Sequence, residues 1–338
     1  MDEYLRLAIR LERLSLAQAR LLEADLSAAL ATVEADLRRR VPDDAPVTYD
    51  RLTGFQAQLR DLLDDLRPKI AETVADTIDA VVEVEVENLL STLTAPDGVP
   101  LLAVTTDAIL PEALITARAA PFDGQTWSRW GDKLATDLIA RINIEVAQAA
   151  TIGETVPQIR RRLEKVADLS RQSAQRLART AINDVSTRTR MTTVRNYGRD
   201  VVKGWEFVAT LDSRTSAVCI GLDRKEFSID DPAIPRPPRH PNCRSTIVPV
   251  LKSYQELGID LPDPEPGTRA SVNGQVPADL TFEQWLRTQP EAFQIEALGS
   301  SRYRAWKRGL PIEGFATPDR ELTVAELRAL YPQKMKGL

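Results

Sequence analysis

From the start of the chain to Arg40, leucines recur at three- and four-residue steps, Leu7, Leu11, Leu14, Leu21 and Leu22 among them, and no Gly or Pro intervenes before Pro42. An apolar stripe at that spacing predicts one long amphipathic helix over 1–40. The run PDDAP ends it. A second helical stretch covers about 49–93, with Pro68 as a kink or boundary, because a proline ring removes one helical hydrogen bond. Its segment DAVVEVEVENLL alternates Val and Glu as a strand would, but the helical flanks on both sides favour helix. Residues 94–125 read as loops around a short helix, with turns at TAPDGVP and AAPFDGQ, and 126–150 as a helix that Gly153 stops. Thr155 and Pro157 open the next helix, and another runs from about 171 to 197, near Gly198.

At Gly204 the pattern changes. WEFVATL is rich in β-formers and reads as a strand, RKEFSI as a second and STIVPV as a third. DSRTSAVC between them reads as a capped turn or short helix, and DDPAIPRPPRHPNCR as a proline-dense loop. Residues 256–280 read as a linker or extended loop, and 281–338 as helical again. The expected fold is mainly α with a small α+β module near 204–250 and a helical C-terminal tail. The expected organisation is an N-terminal helical region over 1–125, a domain over 126–255 holding helices and then the small module, the linker over 256–280, and the extension over 281–338.

A length of 338 residues fits two or three units at roughly 150 residues each. The composition, 43% hydrophobic and 28% charged, is that of a globular chain. No apolar run approaches the roughly 20 residues of a membrane helix, and MDEYLRLAIRLERL has neither the basic start nor the apolar run of a secretory signal. The net charge of −5 hides a strong asymmetry: residues 1–100 carry 11 basic and 20 acidic side chains, whereas 159–204 carry 12 basic and 4 acidic. Such a basic stretch either meets phosphate or is a solvated face that pairs with the acidic helices of the same fold, the commoner outcome.

Candidate chemistry concentrates between Trp205 and Val250, which holds both cysteines and the single histidine. One histidine restricts His-dependent catalysis to His240. The chain has no P-loop, no GxGxxG and no kinase set. His240 and Cys243 lie three apart in HPNC and can reach one tetrahedral ion from a turn, with Cys219 as a third ligand and Asp212, Asp223, Ser216 or water as the fourth. Zinc suits mixed nitrogen and sulfur donors and would staple a small loop-rich unit. Two buried thiols beside a hydrogen-bonding histidine, or a Cys219–Cys243 disulfide, are the other arrangements open to these residues. The zinc-deaminase pattern is absent, since no Glu follows two residues after His240. Phe282, Trp285, Phe293, Tyr303 and Trp306 recur at helical steps in the tail and are expected in a core rather than on a base-stacking face.

The strings GWEFVATLDSRTSAVCIGLDRKEF and PRPPRHPNCRSTIVPV resemble the head-morphogenesis domain of tailed-phage minor head proteins, the Mu-F-like group. The matching residues are Trp205, Asp212, Arg214, Thr215, Cys219, Phe227 and the run from Pro238 to Arg244. The preceding RLARTAINDVSTRTR is similar to the helix that enters that domain, and the tail to the family's C-terminal extension, so that the likeness spans about 130–330. Relatives with more sulfur carry a second cysteine where this chain has Ser216, and another where it has Ser245. The resemblance implies a non-enzymatic virion protein, made in the host cytoplasm and present in multiple copies. It implies assembly at the portal vertex with portal, major capsid and scaffold proteins, and contact with packaged double-stranded DNA. A zinc- or Cys-dependent enzyme acting on nucleic acid inside the virion is the alternative. Asp212, Arg214, Thr215 and Arg244 are expected to be structural: Asp and Thr close turns, and the arginines pair with Asp212 or Asp223.

Overall fold

In a computed structural model, residues 3–95, 99–263 and 267–337 are described, with side chains from Leu7 onward. The turn expected at Asp97-Gly98 and the centre of the 256–280 stretch, residues 264–266, lie outside them. The chain forms two compact units. One comprises Ile9–Val84 with Leu110–Val185; the other comprises residues up to Ala8, Glu85–Ile109 and everything from Ser186 on.

The first unit is built from long helices: α1 (Glu3–Arg40), most of α2 (Phe55–Thr92), α3 (Thr106–Ala119), α4 (Trp127–Ile152) and the first two thirds of α5 (Val156–Tyr197). Helix α1 covers the predicted stretch and buries Leu7 and Leu22 of the expected stripe, whereas Leu21 faces out at 53% exposure and Leu11 and Leu14 are half-buried. Pro68 lies inside α2, which continues past it. The Val–Glu alternation is helical as expected. Gly153 caps α4 at φ 71°, a left-handed conformation that glycine adopts without a Cβ penalty. Gly131 lets α4 approach α2 closely, since a Cβ there would sit 3.0 Å from Ile70 and 3.2 Å from Val74. The two helices expected between 155 and 197 are one of 42 residues. The segment LEKVADLSRQSA across the expected break has neither Gly nor Pro, so nothing stops the helix.

Much of the basic stretch is answered within these units. Glu12, Glu23 and Glu34 stand at eleven-residue steps on α1, which is close to three full turns and places them on one face. They meet α5 running the other way: Arg179 reaches Glu12 at 2.7 Å, Gln175 reaches Glu23 at 2.9 Å, and Arg160 reaches Glu34 at 3.5 Å. Arg162 bridges Glu145 at 2.9 Å and Glu154 at 2.7 Å. The acidic front and the basic middle are therefore partners in one helical unit.

The second unit centres on a three-stranded antiparallel sheet in the order β2-β1-β3, where β1 is Val202–Val208, β2 Glu226–Ser228 and β3 Thr246–Leu251. Short helix α6 (Ala217–Leu222) connects β1 to β2. Gly204 is required by the pairing, because a Cβ would lie 2.5 Å from the Phe227 carbonyl oxygen. The stretch expected as a linker contains a hairpin, β4 (Thr268–Ser271) with β5 (Gly274–Pro277). The tail adds α7 (Phe282–Arg287), α8 (Glu291–Leu298), α9 (Ser300–Lys307) and α10 (Val324–Leu330). Its aromatics Phe282, Trp285, Tyr303 and Trp306 pack with Cys219, Cys243 and Phe207 in one hydrophobic core, as expected of core residues. No described helix is long and apolar enough to cross a membrane.

Candidate metal centre

Two local structures bring the three candidate ligands together. HPNC is a reverse turn closed by the Cys243 amide donating to the His240 carbonyl at 3.1 Å, with Pro241 at its corner and Asn242 at φ 62°. Pro at the second turn position and Asn at the third suit that geometry, since asparagine tolerates the left-handed region. Both side chains of the turn thereby face the same way. Cys219 lies one turn into α6, whose N-cap is Ser216; the Ser216 hydroxyl accepts from the Cys219 amide at 3.3 Å.

Cys219 Sγ is 3.7 Å from Cys243 Sγ and 3.5 Å from His240 Nε2, and the three donor atoms all lie within 4.8 Å of one another. A tetrahedral ion with bonds of about 2.3 Å to sulfur and about 2.0–2.1 Å to nitrogen needs S···S near about 3.8 Å and S···N near about 3.6 Å. The group therefore could hold a metal ion. The two cysteines are free, their sulfurs farther apart than the S–S bond of about 2.05 Å in a disulfide. His240 Nδ1 is 3.0 Å from the Pro241 carbonyl oxygen, which can only accept, so Nδ1 is the donor and Nε2 points at the sulfurs. That is the tautomer and support of a metal-binding histidine.

The fourth position is narrowed. Ser216 Oγ is 2.9 Å from His240 Nε2 and belongs to the site. Asp212 and Asp223 do not. Arg244 binds both oxygens of Asp212, which also accepts from the Arg214 amide at 2.9 Å and the Thr215 hydroxyl at 3.2 Å. Asp223 is held by Arg269 at 2.9 and 3.0 Å and accepts from the amides of Ala209 at 2.8 Å and Phe282 at 2.7 Å. Arg244 thus pairs as expected, whereas Arg214 meets Asp212 through its amide. Burial alone would raise the Asp212 carboxyl, but the hydrogen bond and charge of Arg244, with the Arg214 amide and the Thr215 hydroxyl, hold it below its usual range.

Electrostatics divide the three groups. The Cys219 hydrogen bond lowers Cys243 to about 4 against the opposing effect of burial, with His240 adding to the fall. The Cys219 thiol is pushed up, first by that same hydrogen bond and then by burial, and His240 is raised by its hydrogen bond to Cys243. The fall at Cys243 favours its thiolate, the form that binds metal. Both cysteines are 1% exposed. A cysteine beside a histidine is also a nucleophile's arrangement, although both sulfurs here are buried.

The tail closes the site from outside. Glu321 accepts from the Ala217 amide at 2.8 Å and from Arg302 at 2.8 Å, which anchors the first turn of α6. Arg239, next to His240, donates to the Pro318 carbonyl at 2.7 Å. A buried pair that the sequence did not reveal fixes β3: Arg190 binds Glu85 at 2.6 Å, the Thr246 hydroxyl at 2.8 Å and the Ile247 carbonyl at 2.5 Å. The available signal was Glu85 itself, which falls in the stripe Val81, Val82, Val86 and Leu89.

Residues 140–248 match the family model described as phage Mu protein F like protein. That segment contains the sheet's central strand and all three donors. No curated protein and no solved structure matches the chain.

Proposed function

We propose that this protein is a minor head protein of a tailed phage or prophage. In this reading it acts at the portal vertex, in several copies, with portal, capsid and scaffold proteins as partners and the capsid interior as its location. The observation that carries the reading is the Mu F-like match over 140–248. The enclosed site supports a structural rather than a catalytic role. Cys219, His240 and Cys243 would hold one zinc ion, with Ser216 or water completing the set, and the ion would supply folding energy to a module whose loops have little regular structure. The long helices supply faces for partner helices rather than walls for a pocket. DNA contact in this reading is not assigned to Arg160, Arg162, Arg171, Arg179, Arg190 or Arg199, six of the ten arginines of 159–204, since these are in ion pairs.

The test is a cryo-EM map of heads made by the phage or prophage that encodes the chain. Density for the helical unit and the three-stranded module beside the portal supports the reading. Heads that lack the chain, or that carry it only in the outer shell, contradict it.

A further inference from the structure

A second cationic region carries charges that, among the described residues, no carboxylate holds. Arg304, Lys307 and Arg308 stand at i, i+3 and i+4 at the end of α9, hence on one side of it, and all are exposed. The segment around Met335 passes beside them. Met335 is buried, while Lys334 and Lys336 on either side of it are exposed. Backbone carbonyls fix the arrangement. Arg308 Nη1 donates to the Lys336 carbonyl at 2.6 Å and the Lys334 carbonyl at 3.2 Å, and Lys334 Nζ donates back to the Arg308 carbonyl at 2.5 Å. Arg304 Nε donates to the Ser300 carbonyl at 3.3 Å, and Lys307 Nζ lies 5.7 Å from the Trp306 ring centre.

Among the described residues, none of these five cations is in an ion pair. The nearby acids have other partners: Glu283 takes Arg287 and the Trp306 indole, Glu291 the Tyr303 hydroxyl, Glu321 takes Arg302, and Glu326 takes Arg320.

We infer that this surface, formed by Arg304, Lys307, Arg308, Lys334 and Lys336, binds the phosphate backbone of duplex nucleic acid. A protein partner would need apolar anchors at the centre of the contact. Here Tyr303, Trp306, Leu310 and Met335 are turned into the core instead. A polyanion needs no such anchors, because its binding draws on counterions released from phosphates. Burial of both aromatics also removes base stacking, so the backbone alone is recognised and sequence is not read. The carbonyl contacts hold Arg308 and Lys334 in place before any ligand arrives. The inference rests on the head-protein reading only for the source of the duplex, which would be the packaged genome.

The test is fluorescence anisotropy of the full chain with a labelled duplex of random sequence, titrated at several salt concentrations. The variant Lys307→Ala with Lys336→Ala is compared with Arg161→Ala with Lys165→Ala on α5 as the control, and thermal unfolding confirms that each is folded. The wild type is expected to bind with a steep salt dependence. The tail variant is expected to reduce the slope of log affinity against log salt by about 2 and to weaken binding about tenfold at moderate salt. The control is expected to bind like the wild type. The inference is overturned by a wild type that does not bind, by a tail variant that binds unchanged, or by a control that abolishes binding. Competition by poly-glutamate as effective as competition by duplex also overturns it, in favour of an acidic protein surface. Incorporation into heads is scored separately, so that a chain absent from heads removes the head-protein reading while leaving the binding result intact.

Discussion

Arg190 and Glu85 form an ion pair in which Nε reaches Oε1 at 2.6 Å and Nη2 reaches Oε2 at 2.8 Å, with both side chains withdrawn from solvent. The Ser186 hydroxyl donates to the same carboxylate at 2.6 Å. The end of α5 is thereby tied to the end of α2 and, through Thr246 and Ile247, to β3. A buried pair of this kind is costly to break and less costly to replace whole, because removing one partner leaves an uncompensated charge. Glu85→Leu is expected to lower stability by about 3–5 kcal/mol. Glu85→Leu combined with Arg190→Met is expected to recover much of that loss in urea unfolding. A double variant no more stable than the single one would show that the pair is not the source of the effect.

The close approach of β1 to β2 gives a second expectation. Gly204→Ala places a methyl group against the Phe227 carbonyl and must push the edge strand away. The expected loss is about 1–3 kcal/mol, the range for forced overpacking. It would be accompanied by faster hydrogen exchange at the Phe227 amide. Unchanged exchange at that amide would contradict the strand pairing.

Asp212 sets an acid limit. Its folded-state pKa is depressed, so its contribution to stability is present above the unfolded carboxylate value of about 3.9 and is lost as pH falls through the lower folded value. Asp212→Asn is expected to be less stable than the wild type at neutral pH and to show a shallower loss below about pH 4. Urea midpoints measured across that range check the sign. Parallel curves for the two proteins would mean that Arg244 does not hold the carboxylate.

The features legible in the sequence were those set by neighbours along the chain. The long helices followed from leucine spacing and from the absence of Gly and Pro. The HPNC turn followed from Pro241 and Asn242, and it placed His240 and Cys243 on one side. What escaped depended on partners far away in sequence. Asp223 looked like a spare carboxylate because its partner Arg269 lies 46 residues on, in a stretch expected to be a linker. The Asn273-Gly274 pair in that stretch was an available hairpin signal. That the basic run pairs with acidic helices of the same fold was the commoner expectation, but several of its partners lie more than a hundred residues earlier; the eleven-residue spacing of Glu12, Glu23 and Glu34 was the pattern that pointed to them.

Removing the histidine separates a stapled module from a merely packed one. With zinc supplied, His240→Ala is expected to bind metal at least tenfold more weakly and to unfold at a lower temperature than the wild type. Once a chelator is added, the two proteins are expected to unfold within a few degrees of each other. Equal unfolding temperatures with and without chelator in the wild type would mean that the ion adds nothing to the fold.

The most direct measurement is elemental analysis combined with zinc-edge X-ray absorption on the full chain purified from zinc-supplemented cells. The account predicts bound zinc, about one per chain and never two, with two sulfur neighbours at about 2.3 Å and nitrogen or oxygen neighbours at about 2.0–2.1 Å. A chain that contains no zinc, with both thiols reactive only after unfolding, would contradict it and leave Cys219, His240 and Cys243 as ordinary core residues.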